Sequence, residues 1–173
     1  MGRQLIETIE VGSGGAASIE FTSIPQDGVD LVFKISARTD YSNTYDNGGK
    51  FSINSDTSSD YTRLFLRTIL GTTVQTNGAT NPSARELPYN GNSATANTFG
   101  NAELFIANYT STSDKSISLD LVTENNATDG GITYIGAYLY PTSSAVTSVE
   151  LVLQSGRNFL QYSTASLYKI TAD

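Results

Sequence analysis

The chain has 173 residues, 38% of them hydrophobic, with no Cys, no His, a formal charge of -7 and a pI near 4.4. Without Cys there is no disulfide, thiol nucleophile or thiolate metal site; without His there is no Ser-His-Asp or Cys-His arrangement and no His-bound zinc. The acidic balance argues against phosphate backbones, which need clustered Lys and Arg, and no apolar run approaches the ~20 residues of a membrane-spanning helix.

A chain of this length is expected to form one domain and to bury about 70% of the surface its unfolded form exposes. About a quarter of its residues are Ser or Thr, a bias that suits strands and turns better than helices. Residues 1–11 read as an N-terminal arm or edge strand, and residues 12–173 as a single β-sandwich domain with a long loop at 71–98. The opening MGRQLIETIEVG carries two Glu and lacks the apolar stretch of a signal peptide.

The glycine-rich GSGG at 12–15 predicts a turn; an anion-binding nest is the alternative, but no Lys-Ser/Thr follows as in a phosphate-binding loop. Ala17, Ile19 and Phe21 then alternate with Ser18, Glu20 and Thr22. After the turn PQDG at 25–28, Val29, Leu31, Phe33, Ile35 and Ala37 alternate with Asp30, Lys34, Ser36 and Arg38. Period two with one apolar face is the pattern of an antiparallel strand half-buried on a core.

Next comes SARTDYSNTYDNGGKFSINSD, residues 36–56, in which Asp40, Asn43, Asp46 and Asn47 crowd together. Asp40, Ser42 and Asp46 faintly resemble a calcium loop but lack its terminal bidentate Glu. Asn47-Gly48-Gly49 ahead of Lys50–Ile53 instead predicts the tip of a hairpin.

YTRLFLRTIL at 61–70 fits neither period cleanly; a strand is expected there, with a short helix as the alternative. From Gly71 to Thr98 few residues are apolar and two are Pro, so a long loop is expected, of a length that is usually either disordered or functional. Further strands are expected near 4–11, 50–54, 101–108, 116–121, 132–140, 148–154 and 164–171, with turns at TDGG 128–131 and SG 155–156. About eight to ten short antiparallel strands with no long helical pattern predict an all-β fold, a β-sandwich of jelly-roll type.

Candidate chemistry is sparse. Glu20, Glu103, Asp120 and Glu150 fall on the outward faces of strands; two of them would have to pair to make a glycosidase, and nothing in their spacing predicts that separation. Tyr134, Tyr138 and Tyr140 make an aromatic stripe in GITYIGAYLY, with Gly136 leaving a gap. The stripe would suit stacking of sugar rings. Packing in a core or between subunits is favoured because Ile135, Ala137 and Leu139 make the other face apolar too. Asn108-Tyr-Thr and Asn126-Ala-Thr match the N-glycosylation pattern, as so Asn- and Thr-rich a chain will by chance. No catalytic, cofactor-binding or metal-binding residue is assigned, and no enzyme is expected.

Three stretches carry a family resemblance: VGSGGAASIEFTSIPQDGVDLVFKISARTD at 11–40, NSATANTFGNAELFIANYTSTSDKSISLDLVTENNAT at 92–128 and PTSSAVTSVELVLQSGRNFLQYSTASLYKI at 141–170. They resemble small virion proteins of tailed bacteriophages, cyanophages and marine phages especially, most specifically in SIEFTSIP, SARTD and STASLY. The usual ending has Gly where this chain has Lys169. The resemblance implies a β-sandwich that sits on the capsid exterior as a cement or decoration protein, or belongs to the tail apparatus. It carries over no catalytic site.

The expectation is therefore a homotrimer that locks neighbouring major-capsid-protein subunits. It would bury Tyr-rich and aliphatic strand faces between protomers and grip the shell with residues 1–11 and 71–98, without nucleic acid, membrane or cofactor. The alternative is a tail-fibre or baseplate module that binds host polysaccharide through Tyr134, Tyr138, Tyr140 and the 71–98 loop. A carboxylate glycosidase is a third reading.

Overall fold

Alternating sequences become strands here wherever one face finds a core. The computed structural model describes residues 2–58, 60–69, 73–80, 85–126 and 130–172, with the side chains of residues 79 and 80 outside that description. Thirteen strands follow in chain order: β1 Gly2–Glu10, β2 Ser18–Phe21, β3 Asp30–Ala37, β4 Tyr45–Asp46, β5 Lys50–Ile53, β6 Thr62–Ile69, β7 Thr73–Thr80, β8 Tyr89–Asn90, β9 Gly100–Ile106, β10 Lys115–Val122, β11 Ile132–Tyr140, β12 Val149–Val152 and β13 Thr164–Thr171.

An eight-stranded sheet runs β1-β13-β3-β9-β10-β11-β6-β7, every neighbouring pair antiparallel. A three-stranded sheet, β2-β12-β5, packs against it, and β4 pairs with β8 in a short ladder beside them. The fold is all-β, a sandwich of one large and one small sheet; this strand order does not establish jelly-roll connectivity. The two layers meet through rings: Phe21 of β2 lies edge-on to Phe33 of β3 at 5.6 Å, and Phe51 of β5 edge-on to Tyr138 of β11 at 5.1 Å. Leu31, Phe33, Leu104, Leu119 and Leu167 from the large sheet and Ile19, Phe51 and Leu151 from the small one fill the space between. This burial is the main favourable term in folding.

The ten strands expected all form, and three more appear: β4, β7 and β8. Residues 73–80, expected inside a long loop, are instead a full strand paired with β6 from Thr62↔Thr80 to Ile69↔Thr73. They escaped notice because TVQTNGAT has almost no apolar residue, and as the sheet's edge it buries little. The loop reading holds for 91–99, while 71–72 and 81–84 lie outside the described residues. The helix alternative for 61–70 is overturned, since β6 is paired on both sides.

Residues 2–10 are an edge strand rather than a free arm, docked on β13, with Thr8 Oγ1 and Ser166 Oγ 2.8 Å apart. The hairpin expected at 47–49 is also overturned. β4 pairs with β8 and β5 with β12, so residues 36–56 carry the chain from the large sheet to the small one. Neither Gly48 nor Gly49 has positive φ. A Cβ at Gly49 would come 2.2 Å from the Leu87 carbonyl oxygen and 2.4 Å from the Tyr89 ring, so glycine serves close packing there rather than turn geometry.

Lys169 ends the core face of β13. Its ammonium lies 2.6 Å from each carboxylate oxygen of Asp27, in the turn before β3, so the cation is buried beside an exposed anion.

Candidate functional site

The crowded acidic and amide stretch turns out to be structural. Asp46 is fully buried, accepts hydrogen bonds from the Thr39 hydroxyl (2.9 Å) and the Gly48 amide (2.6 Å), and is ion-paired with Arg157. Asp40 accepts from the backbone and side-chain nitrogens of Asn158 at 2.9 and 3.0 Å. Both carboxylates pin loops together. Among the described residues no three His, Cys, Asp or Glu side chains gather as metal ligands would.

The outward carboxylates do come together in pairs, which their spacing did not foretell. Glu20 stands opposite Glu150 across β2 and β12, and Glu103 opposite Asp120 across β9 and β10. Each pair lies on an outer sheet face: Glu150 accepts from the Ser52 hydroxyl at 3.3 Å and Glu103 is ion-paired with Lys34. A glycosidase needs its two carboxyl groups to flank a bound sugar in a cleft. Neither pair is part of the hollows lined by Arg38, Arg63 or Arg157.

Tyr134, Tyr138 and Tyr140 face the core and are 0%, 3% and 5% exposed. The Tyr138 hydroxyl donates to the Glu86 carbonyl at 2.8 Å and stands 3.1 Å from that of Tyr134, while Tyr140 donates to Asp56 at 2.8 Å. Packing within the chain is thus the role of this stripe, which corrects both the sugar-stacking platform and the Tyr-lined face between protomers. Asn108 and Asn126, of the two glycosylation matches, are left-handed turn positions with φ of 49° and 57°.

What β11 leaves outside is its other face. Ile135 and Leu139 are 57% and 40% exposed. Register places Leu66 beside Ile135 and Leu64 beside Ala137 on β6, and Val74 beside Thr68 on β7. Leu64 and Val74 are 68% and 67% exposed. The intervening outward residues of these three strands are Thr62, Thr68, Thr76, Thr133, Ala137 and Gly78, none of them charged; the field ends at β10, where Asp120 stands opposite Ile135. The patch presents on the order of 500 Å² of surface, at the upper end for a monomeric protein's largest apolar patch. Sequence reading noted that both faces of β11 are apolar and inferred burial on both sides; within the chain only one is buried. The two cations of β6 point inward instead. Arg63 and Arg67 share the Glu86 carboxylate and lie over the Phe65 ring at 4.7 and 5.0 Å.

A second feature forms where the loops at 11–17, 38–44, 91–99 and 153–163 meet at one end of the sandwich. Arg38 locks them: its Nη1 donates to the carbonyls of Thr95 (2.7 Å) and Thr98 (3.1 Å), and its Nη2 to those of Asn92 (2.9 Å) and Ala94 (2.8 Å). The Leu160 amide donates to the Arg38 carbonyl at 2.8 Å and the Tyr162 amide to that of Val11 at 3.0 Å. Between the loops lies a hollow of about 490 Å³, within the usual range for ligand sites. Asn92, Asn97 and Gln161 line it with exposed amides. Tyr162 stands at its margin, 63% exposed, held at a φ of 69° that a Tyr rarely adopts. Gly14 and Gly15, the turn read from GSGG, form part of its wall.

Two further hollows, of about 580 and 250 Å³, are lined in part by groups already engaged: Arg63 is paired with Glu86, and Arg157 lies 3.7 Å from the Tyr41 ring while bound to Asp46. The β11 part of the outer face is legible in the sequence, but its extension over Leu64, Leu66 and Val74 is not, and neither is Tyr162. Inverted polarity in 61–70 would have signalled the patch; nothing local marks Tyr162. Compared with known proteins, the chain matches no family model and no curated protein.

Proposed function

We propose that this chain is a structural protein of a bacteriophage virion, a cement or decoration protein on the capsid exterior that stabilises the major-capsid shell and has no catalytic role. The observation that supports this reading best is the charge-free outer face of β6, β7 and β11. A chain carrying -7 repels copies of itself and other acidic surfaces. A contiguous aliphatic field rimmed with Thr is where such a protein can associate. The largest apolar patch of a monomer is often functional, and one at the top of that range, ringed by polar residues, suits a protein contact.

We assign that face to contact with further copies of the chain in a homotrimer, which then meets the major capsid protein through many weak, simultaneous contacts. β7 adds an open strand edge without charge or Pro, the form of edge that pairs readily with another chain. Nucleic acid, membrane and cofactor have no part in this mechanism. The second reading, a tail-fibre or baseplate module for host polysaccharide, loses Tyr134, Tyr138 and Tyr140 as its platform and keeps only the hollow at the loop end.

The test is particle-based. Tagged protein is added to shells lacking it and sedimented, and bound protein is located by electron microscopy. Regular density at three-fold positions supports the assignment. Failure to co-sediment, or density confined to the tail, refutes it.

A further inference from the structure

The loop end of the sandwich has the makings of a ligand site that is independent of how the outer sheet face is used. Its walls are fixed. Arg38 spends its guanidinium on four loop carbonyls and Asp40 spends its carboxylate on Asn158, so the one cation and one anion lining the hollow are both consumed internally and sum to zero. What remains to face a ligand is amide and aromatic. Asn92, Asn97 and Gln161 are exposed, and among the described residues no neighbour takes up their side-chain nitrogens or oxygens. Each amide offers donors and an acceptor side by side, the pattern that pairs with adjacent hydroxyl groups.

Tyr162 supplies a flat apolar face with a polar tip. Its backbone is left-handed, yet the chain keeps a bulky aromatic at a place where Gly would be free of strain. Strain retained at an exposed position of a well-anchored loop points to use of the side chain. Loops held at one end of a rigid β scaffold are where binding residues concentrate.

We infer that this hollow binds a neutral saccharide, with Tyr162 stacking on a sugar ring and the amides of Asn92, Asn97 and Gln161 meeting its hydroxyls. Phosphorylated and nucleic-acid ligands fit poorly, since no uncommitted cation lines the hollow and the chain as a whole is acidic. The inference adds a ligand to the capsid reading without depending on it, and gives the tail-fibre reading, whose remaining site is this hollow, a ligand class.

The full chain would be titrated with neutral tri- and tetrasaccharides of glucose, galactose, mannose and N-acetylglucosamine at millimolar concentration, with heparin fragments as the acidic comparator. Binding would be read by saturation-transfer NMR and calorimetry. At least one neutral saccharide is expected to bind. Tyr162→Gly, which relieves the left-handed backbone, should keep or raise Tm while weakening binding tenfold or more. Tyr162→Phe should retain binding, and Asn97→Ala should weaken it several-fold. No binding by any neutral saccharide, binding of heparin fragments alone, or undiminished binding by Tyr162→Gly would each overturn the inference, and none of these outcomes bears on shell attachment.

Discussion

Gly136 shows how one missing side chain organises the middle of β11. It faces the core between Tyr134 and Tyr138, whose rings fold over it; a Cβ there would lie 2.7 Å from the Tyr134 ring and 3.0 Å from that of Tyr138. Ala gains some backbone entropy over Gly in a strand, but overpacking of a filled core costs about 1–3 kcal/mol. Gly136→Ala is therefore expected to lower unfolding stability by about 1–2 kcal/mol in a denaturant titration, whereas an unchanged midpoint would show that the rings move aside freely.

Lys169 sets a second test at the same scale. Hydrogen bonds from its ammonium hold the Asp27 carboxyl below the ordinary 3.8. A lowered carboxylate value contributes stability that is fully present above pH 3.8 and is lost as pH falls through the folded-state value. Asp27 is exposed and screened by water, so the effect on Tm is modest. Asp27→Asn should lower Tm at pH 7, because it leaves the buried ammonium unpaired, and should flatten the acid limb of the stability curve. Equal Tm losses at pH 7 and pH 3 would contradict this account.

At the scale of elements, β6 is the informative strand. Its polarity is inverted, with Arg63 and Arg67 facing the inside of the sandwich and Leu64 and Leu66 facing out. The inversion is affordable only because the large sheet extends past the small one. There the inward cations meet Glu86 and the Phe65 ring instead of an apolar core. The sequence of 61–70 matches neither period because Phe65 and Ile69 share the inward face with Arg63 and Arg67. Replacing Leu66 and Ile135 together with Asp puts two charges into the outward field, that at Ile135 beside Asp120 of β10. Sedimentation velocity should then show a trimer become a monomer with an unchanged far-ultraviolet spectrum. A native chain that is already monomeric would remove this face as the subunit contact.

At the scale of the whole molecule, the large polar rings of the core make the fold sensitive to base. Burial pushes the hydroxyls of Tyr61, Tyr89, Tyr109, Tyr134 and Tyr138 upward from 10, and that of Tyr140 up to about 12, with its hydrogen bond to Asp56 adding to the effect. The unfolded chain releases these protons near pH 10 while the folded one retains them. Their contribution is therefore complete below pH 10 and is lost as pH rises through the folded values. Cooperative unfolding is expected between about pH 10 and 12, coincident with the absorbance change of tyrosinate. Titration of most tyrosines well before loss of structure would show that the rings are more accessible than their packing indicates.

The all-β class and the strands with one apolar face, such as 29–37 and 116–121, are legible in the amino-acid order, because period two depends only on which residues share a face with their next neighbours but one. The sequence also marked the absence of Cys and His and the general region of the 91–99 loop. Tertiary structure alone decided how distant strands pair. That pairing put the Tyr134–Tyr140 stripe inside, left Ile135 and Leu139 outside, and brought Glu20 opposite Glu150. It turned 36–56 into a crossover between sheets, gave the apolar-poor 73–80 a place as an edge strand, and gathered Asn92, Asn97 and Tyr162 around one hollow. Contacts between residues dozens of positions apart leave no local pattern, so the surfaces on which function rests became legible only once the sheets were assembled.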